Sequence, residues 1–219
     1  MSSTESKTHL PMTASDLPEQ LAAALRGGRT SGRARVRMSP EMSYGRHAGP
    51  APQTARRAAV MILLFQRAGR WHIPLTERTP TLTHHGGQIS LPGGAIDPGE
   101  TSCQAALREL DEELGVGEPV DILGQLAECY VFASDFLITP WVAALRSEPL
   151  WRPHDREVQG VVELPLEALL DERTVDQMTI QRGPLVFQAP CIRVGSASVW
   201  GATSVILNEL GDVLCNLKM

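Results

Sequence analysis

Three glutamates, Glu109, Glu112 and Glu113, fall inside the run Glu109-Leu110-Asp111-Glu112-Glu113. A helix turns about 100° per residue, so with Glu109 at zero, Glu112 lies near −60° and Glu113 near +40°. The three carboxylates share one stripe. Cys103, Ala106, Leu107, Leu110 and Leu114 fall between about 60° and 160° on the same wheel and form a separate apolar stripe. Like charges one turn apart destabilise a helix by a few tenths of a kcal/mol, and placing them beside a core adds a desolvation cost. A cation would offset both. Hard oxygen ligands on a rigid element suit Mg²⁺ or Mn²⁺, which keep several waters and also take a substrate's phosphates. The bland alternative is a solvated helix face, the ordinary fate of such an acidic run.

The residues around the acids are those needed to hold them. Pro92-Gly93-Gly94 and Asp97-Pro98-Gly99 are turn sequences, able to take backbone angles closed to bulky residues. Thr101 followed by Gln104 is a capping-box pattern, and Gly115 suits the left-handed position after a last helical turn. Ala105 to Leu114 are mostly strong helix formers. The stretch therefore reads as loop, helix, loop. Counted from Gly94 it runs five residues, Glu100, seven residues, Arg108-Glu109-Leu110, one residue, Glu112-Glu113, one residue, Gly115-Val116.

The rest of the chain supplies a frame. With 219 residues, 42% hydrophobic and 21% charged, it has material for one good core and a small appendage, and is neither disordered nor disulfide-dense. Ala58 to Phe65 is an apolar run of strand length, and Trp71 to Thr76 is its expected antiparallel partner across Ala68-Gly69. Val120–Glu128, Tyr130–Phe132, Thr139–Leu145 and Gly160–Glu163 are further strand candidates, while Leu166–Leu170 and Thr203–Leu210 read as helical. This mixed order makes the class α/β in the broad sense, either α+β or a three-layer α/β/α arrangement. Residues 1–55 read as an N-terminal arm and linker, with a short helix over Asp16–Leu25 capped by Ser15, and residues 56–219 as the domain. Residues 1–57 carry nine Lys/Arg and four Asp/Glu, against eleven and twenty-one in the remainder. The arginines are scattered among Gly, Ser, Pro and Met, so the arm is expected to be solvated or to contact a subunit rather than to bind nucleic acid.

No apolar stretch approaches the roughly 20 residues of a membrane span, and the first thirty residues lack a signal-like apolar core. Cys103, Cys129, Cys191 and Cys215 are widely spaced and read as reduced core thiols. A cytoplasmic location is the expectation.

Every fixed position of the Nudix box is filled between Gly94 and Val116, and the sequence is identified as resembling the Nudix hydrolases. That resemblance implies a three-layer α/β/α sandwich with a mixed sheet, and cleavage of nucleoside diphosphates linked to another moiety. It implies a Mg²⁺- or Mn²⁺-binding loop-helix-loop in which Glu109 and Glu113 are the principal ligands and Glu112 a further one, direct or through water. Gly94, Glu100, Arg108 and Gly115 become structural positions of the motif, with Glu100 and Arg108 orienting the helix through a charge-assisted bond. Family members often form homodimers. A general base is required, with Glu109 and Glu112 as candidates that the sequence does not separate.

A narrower resemblance lies upstream. Leu75, Thr76, Arg78, Leu82, His85, Gly87, Gln88 and Pro92 agree with the pattern of the coenzyme A pyrophosphatase branch, while Pro74, Thr79, Thr83, Ile89 and Leu91 depart from it. Ala133-Ser134-Asp135-Phe136, Pro140-Trp141-Val142 and Trp200-Gly201-Ala202-Thr203 support the same branch. This implies hydrolysis of coenzyme A or acyl-coenzyme A to 3′,5′-ADP and (acyl-)4′-phosphopantetheine. Arg78 offers a planar fork to phosphate, or is a plain strand arginine; His85 meets the substrate, or only caps a loop. Trp141 and Trp200 pack in the core, the commoner fate of tryptophan, or stack on an adenine. The competing activities are those on ADP-ribose, NADH or a dinucleoside polyphosphate, and a nucleotide-sensing module without catalysis.

Overall fold

The apolar run forms one long strand, β1 (Arg56–Arg67), whose two faces organise the molecule. The computed structural model describes residues 16–28, 37–38, 50–79, 87–153 and 157–217. Along β1, side chains alternate between two cores because a strand repeats every two residues. Ala59, Met61, Leu63 and Phe65 face one cluster, and Ile62 and Leu64 the other. Burial on both faces is what an unbroken apolar run encodes, in place of simple alternation.

Strand β2 (Arg70–Arg78) returns antiparallel through Ala68-Gly69, both at positive φ (51° and 74°), the geometry of a tight two-residue hairpin. β3 (Ile89–Ser90) pairs with β2, and β4 (Gly93–Ala95) pairs with β1. β5 (Asp121–Gln125), β6 (Cys129–Val131) and β7 (Phe136–Ala144) follow the acidic helix. β7 lies parallel to β1 from Arg56↔Phe136 to Leu64↔Ala144, whereas the other pairings are antiparallel, so the sheet is mixed. Its path runs β3-β2-β1-β7-β5, with β8 (Val158–Pro165) on the other side of β2.

Helix α2 (Ser102–Leu114) covers the face of Ala59, Met61, Leu63 and Phe65 with Ala105, Ala106, Leu110 and Leu114. The opposite face is covered by α1 (Leu17–Arg26) and α3 (Ala202–Cys215). The outcome is the expected three-layer sandwich of the α/β class. No described helix is long and apolar enough to cross a membrane.

Three features depart from the sequence expectations. The arm's helix forms, with Leu17, Leu21, Ala22 and Leu25 buried in the main core beside Met38 of the linker. The break drawn at residue 55 is therefore not a break in packing. Ser15, the expected cap, lies outside the described residues, and Asp16 occupies the N-cap without a side-chain capping bond. A second sheet also appears, in the order β11-β10-β9: β9 (Val175–Arg182), β10 (Leu185–Val194) and β11 (Ala197–Trp200). Its signals were the two-residue turns Gly183-Pro184 and Gly195-Ser196 between β-prone segments. Among the cysteines, Cys129 and Cys191 are buried and Cys103 is half-buried, but Cys215 is exposed rather than in the core.

Because Leu21 is fully buried among sheet and helix residues, Leu21→Ala should lower unfolding stability by about 2–5 kcal/mol with the urea m-value unchanged. A change below about 0.5 kcal/mol in urea denaturation would place α1 outside the cooperative core.

Candidate active site

The acidic helix is fixed at both ends before its carboxylates are considered. Gln104 N donates to Thr101 Oγ1 at 3.3 Å and Thr101 N donates to Gln104 Oε1 at 2.9 Å, a closed capping box. At the other end Gly115 takes φ 67°, ψ 36°, and its N–H reaches Asp111 O at 2.7 Å. A Cβ at Gly115 would meet Arg152 Cβ at 2.7 Å, so this position is closed to side chains by space as well as by backbone angle. Trp141 Nε1 on β7 donates to Ser102 Oγ at 3.1 Å, tying the sheet to the first turn.

Arg108 holds the loop and the acids together. Its Nε and Nη2 donate to the two oxygens of Glu100 at 3.0 and 3.2 Å, a bidentate charge-assisted pair. Nη2 also reaches Ala95 O at 3.1 Å, while Nη1 reaches Glu109 Oε1 at 2.9 Å and Glu112 Oε2 at 3.0 Å. Glu100 is held below the usual carboxylate range by Arg108 first and by the Asp97 N–H second. Arg108 is pushed up by the same bond and by Glu109.

The three acids of the stripe are graded in burial. Glu112 is 58% exposed, Glu109 16% and Glu113 only 3%. On the wheel Glu113 sits nearest the apolar stripe, and β4 closes over its neighbour: a Cβ at Gly94 would lie 2.1 Å from Glu109 Oε1. Only glycine lets the strand approach so closely. Burial raises the Glu109 carboxyl, against the pull of Arg108, and the nearby charges of Glu112 and Glu157 raise it further. Burial also pushes Glu113 up to about 7, opposed by Arg78 and by the Gly93 N–H and reinforced by Glu109 and Glu157.

Arg78 ends β2 on the same face and donates from Nη1 to Glu113 Oε1 at 3.4 Å. The upstream motif and the acidic stripe are thus joined by an ion pair. His85 lies outside the described residues. One acid was missed from sequence. Glu157 immediately precedes β8, where Thr79 N donates to Glu157 O at 2.9 Å, and its charge acts on Glu109 and Glu113. Nothing in local spacing marks it; pairing the Gly160–Glu163 strand candidate against β2 would have brought it near Arg78.

Among the described residues no three His, Cys, Asp or Glu side chains form a preformed metal cage. The donor set nevertheless fits Mg²⁺ or Mn²⁺. Glu113 Oε2 is buried with no hydrogen-bond partner, and the other available ligands are hard oxygens. Such ions need few protein ligands when waters and phosphates complete their shell.

A capped acidic helix between two turns, laid on a mixed sheet, is the loop-helix-loop that the Nudix motif predicts. Residues 55–182 match the NUDIX domain, and the chain belongs to the Nudix hydrolase family. It is 35% identical over 168 residues to Nudix hydrolase 3 of Caenorhabditis elegans, covering 69% of this chain and 70% of that protein. It is 33% identical over 166 residues to the Nudix hydrolase NudL of Yersinia enterocolitica, covering 75% and 84%. The crystal structure of a Nudix hydrolase from M. smegmatis, RenU, shares the fold with a TM-score of 0.54 at 19% identity, over 75% of this chain and 89% of that one.

Raising Glu113 from the ordinary 4.5 to about 7 makes the protonated folded form favourable. The stability it confers is complete below pH ~4.5, falls as pH rises through ~7, and amounts to about 3 kcal/mol. Thermal melts in chelator should therefore show Glu113→Gln more stable than wild type at pH 8 and less pH-dependent between 4.5 and 7. Parallel pH profiles for the two proteins would show that Glu113 is not a strained acid.

Proposed function

We propose that the chain hydrolyses the diphosphate bridge of coenzyme A or its acyl thioesters, giving 3′,5′-ADP and (acyl-)4′-phosphopantetheine. The observation that carries this reading is the Arg78–Glu113 contact, because it brings the coenzyme A-like segment of β2 onto the most buried acid of the box. A divalent cation, Mg²⁺ or Mn²⁺, bound through Glu109, Glu112 and Glu113, would lower the pKa of an attacking water and offset charge on the phosphate oxygens. Arg78 would orient phosphate through a planar, directional fork, and His85, outside the described residues, is the second proposed substrate contact. Arg108 and Glu100 hold the helix to its loop while charge shifts nearby.

The proton of the attacking water goes to a carboxylate. Glu109 and Glu112 share Arg108 Nη1, and Glu157 is the third candidate because it is exposed and within the field of both buried acids. Removal of a general base lowers kcat by about 10²–10⁴-fold. The base is thus the position whose Gln variant keeps a kcat loss on that scale even at saturating Mn²⁺. A residue that acts as a ligand alone regains kcat as Mn²⁺ saturates.

The substrate is tested by incubation with Mg²⁺ or Mn²⁺ and coenzyme A, acetyl-coenzyme A, ADP-ribose, NADH and a dinucleoside polyphosphate, with products identified by mass. The expected result is 3′,5′-ADP and 4′-phosphopantetheine from coenzyme A at the highest kcat/KM. Preference for another member of the panel would transfer the assignment to that substrate, and binding without turnover of any member would make the chain a nucleotide sensor.

A further inference from the structure

We propose that Arg78 stands in for the divalent cation at Glu113, surrendering that carboxylate when the cation binds and turning, together with the hydroxyl of Thr79, to a phosphate of the substrate. The inference rests on the reading of the site as a metal-dependent diphosphatase and assigns Thr79 to it as a further substrate-binding residue.

Two arginines meet the acidic stripe, and they do so differently. Arg108 uses its whole fork: Nε and Nη2 both engage Glu100, Nη2 also reaches a carbonyl, and Nη1 bridges two further acids, all within 3.2 Å. A side chain held this way is scaffold. Arg78 makes one contact to Glu113, at 3.4 Å, the long limit for a hydrogen bond. Its Nε has no partner among the described residues, and neither do Glu113 Oε2 and Thr79 Oγ1. A guanidinium and a carboxylate can satisfy each other through two parallel bonds. Here each keeps a buried atom unused, although leaving such atoms unpaired costs about 1–3 kcal/mol apiece.

The unused atoms have complementary demands. Glu113 Oε2 is an acceptor and requires a cation or donor; Arg78 Nε–H and the Thr79 hydroxyl are donors and suit an anion of acceptor oxygens. A divalent cation with its phosphate meets all three. The backbone beneath them is fixed, so the exchange belongs to the side chains. Arg78 N donates to Gln88 O at 3.0 Å, Gly87 N donates to Arg78 O at 2.9 Å, and Thr79 N is bonded to Glu157 O. The β2–β8 register shifts between Glu77 and Arg78, a bulge of the kind that re-aims a side chain at a sheet's end.

If Arg78 competes with the cation, Mn²⁺ alone should bind Arg78→Met about fivefold or more tightly than wild type, read as free Mn²⁺ by electron paramagnetic resonance without nucleotide. Arg78→Lys, which keeps a cation, should stay near wild type, and Arg78→Gln should follow Arg78→Met if the methionine variant folds poorly. Unchanged or weaker Mn²⁺ binding in the folded Met or Gln variant overturns the exchange. Glu113→Gln separates the two levels: if it retains full Mn²⁺ affinity, the metal reading of the site fails; if it loses Mn²⁺ while Arg78→Met gains nothing, only the exchange fails. Thr79→Val should leave binding of Mn²⁺ alone unchanged and weaken binding of α,β-methylene-ADP in saturating Mn²⁺ by about fivefold or more. Equal nucleotide affinity would remove Thr79 from the site.

Discussion

Carboxylates held at a seam between helix and sheet are the constraint from which the rest of this structure follows. Charge in that position is opposed by desolvation, and Glu113, the deepest acid, is raised to about 7 because burial outweighs the arginine beside it. The fold keeps the acids there with rigid parts. A closed capping box and a left-handed glycine fix the length of α2, and Arg108 ties its middle to the preceding loop through Glu100 and Ala95 O. Neither helix propensity nor packing alone would hold the acids together, since both act equally well on a solvated acidic face.

The sheet contributes by having two buried faces. One side of β1 receives α2, and the other is sealed by α1 and α3. α3 is buried along most of its length, including Ser204, Asn208 and Glu209, so it acts as an interior strut rather than an amphipathic cover. Because β4 pairs with β1 directly opposite β7, the loop carrying Gly93 and Gly94 is anchored to the same strand that packs under the helix. Loop, strand and helix are therefore tied to one another, and the close approach at Gly94 is set by the sheet.

Much of this was legible in the residues. The loop-helix-loop was readable because turn chemistry, capping and periodicity agree over Pro92 to Gly115, and the β1–β2 hairpin because its turn and apolar runs agree. The burial order of the three acids follows the wheel, with Glu113 nearest the apolar stripe, but the depth was not readable: it depends on β4, a three-residue strand with little sequence signal. Glu157 was hidden for a related reason, since its place is set by long-range β2–β8 pairing. The β9–β11 sheet contains Gln, Thr, Arg and Asp among its apolar residues, which blurs its alternation, and only its two tight turns betray it. The packing of α1 was hidden behind the compositional change near residue 55; four apolar residues on one face of a short helix were enough to bring it into the core.

The site draws its parts from two sources with different physical limits. The acids and their scaffold arginine come from one helix and the loop before it, where Glu100, Arg108, Glu109 and Glu112 share hydrogen bonds and Gly94 closely approaches Glu109. Substitution there disturbs the chemistry itself. Arg78, Thr79 and Glu157 come from the ends of β2 and β8, where a register shift can re-aim a side chain without disturbing the core. Under the proposed function those ends could change the bound group while the helix continued to serve the same diphosphate bridge. On that reading the acidic helix sets the reaction, and the substrate has to be read from the strand ends.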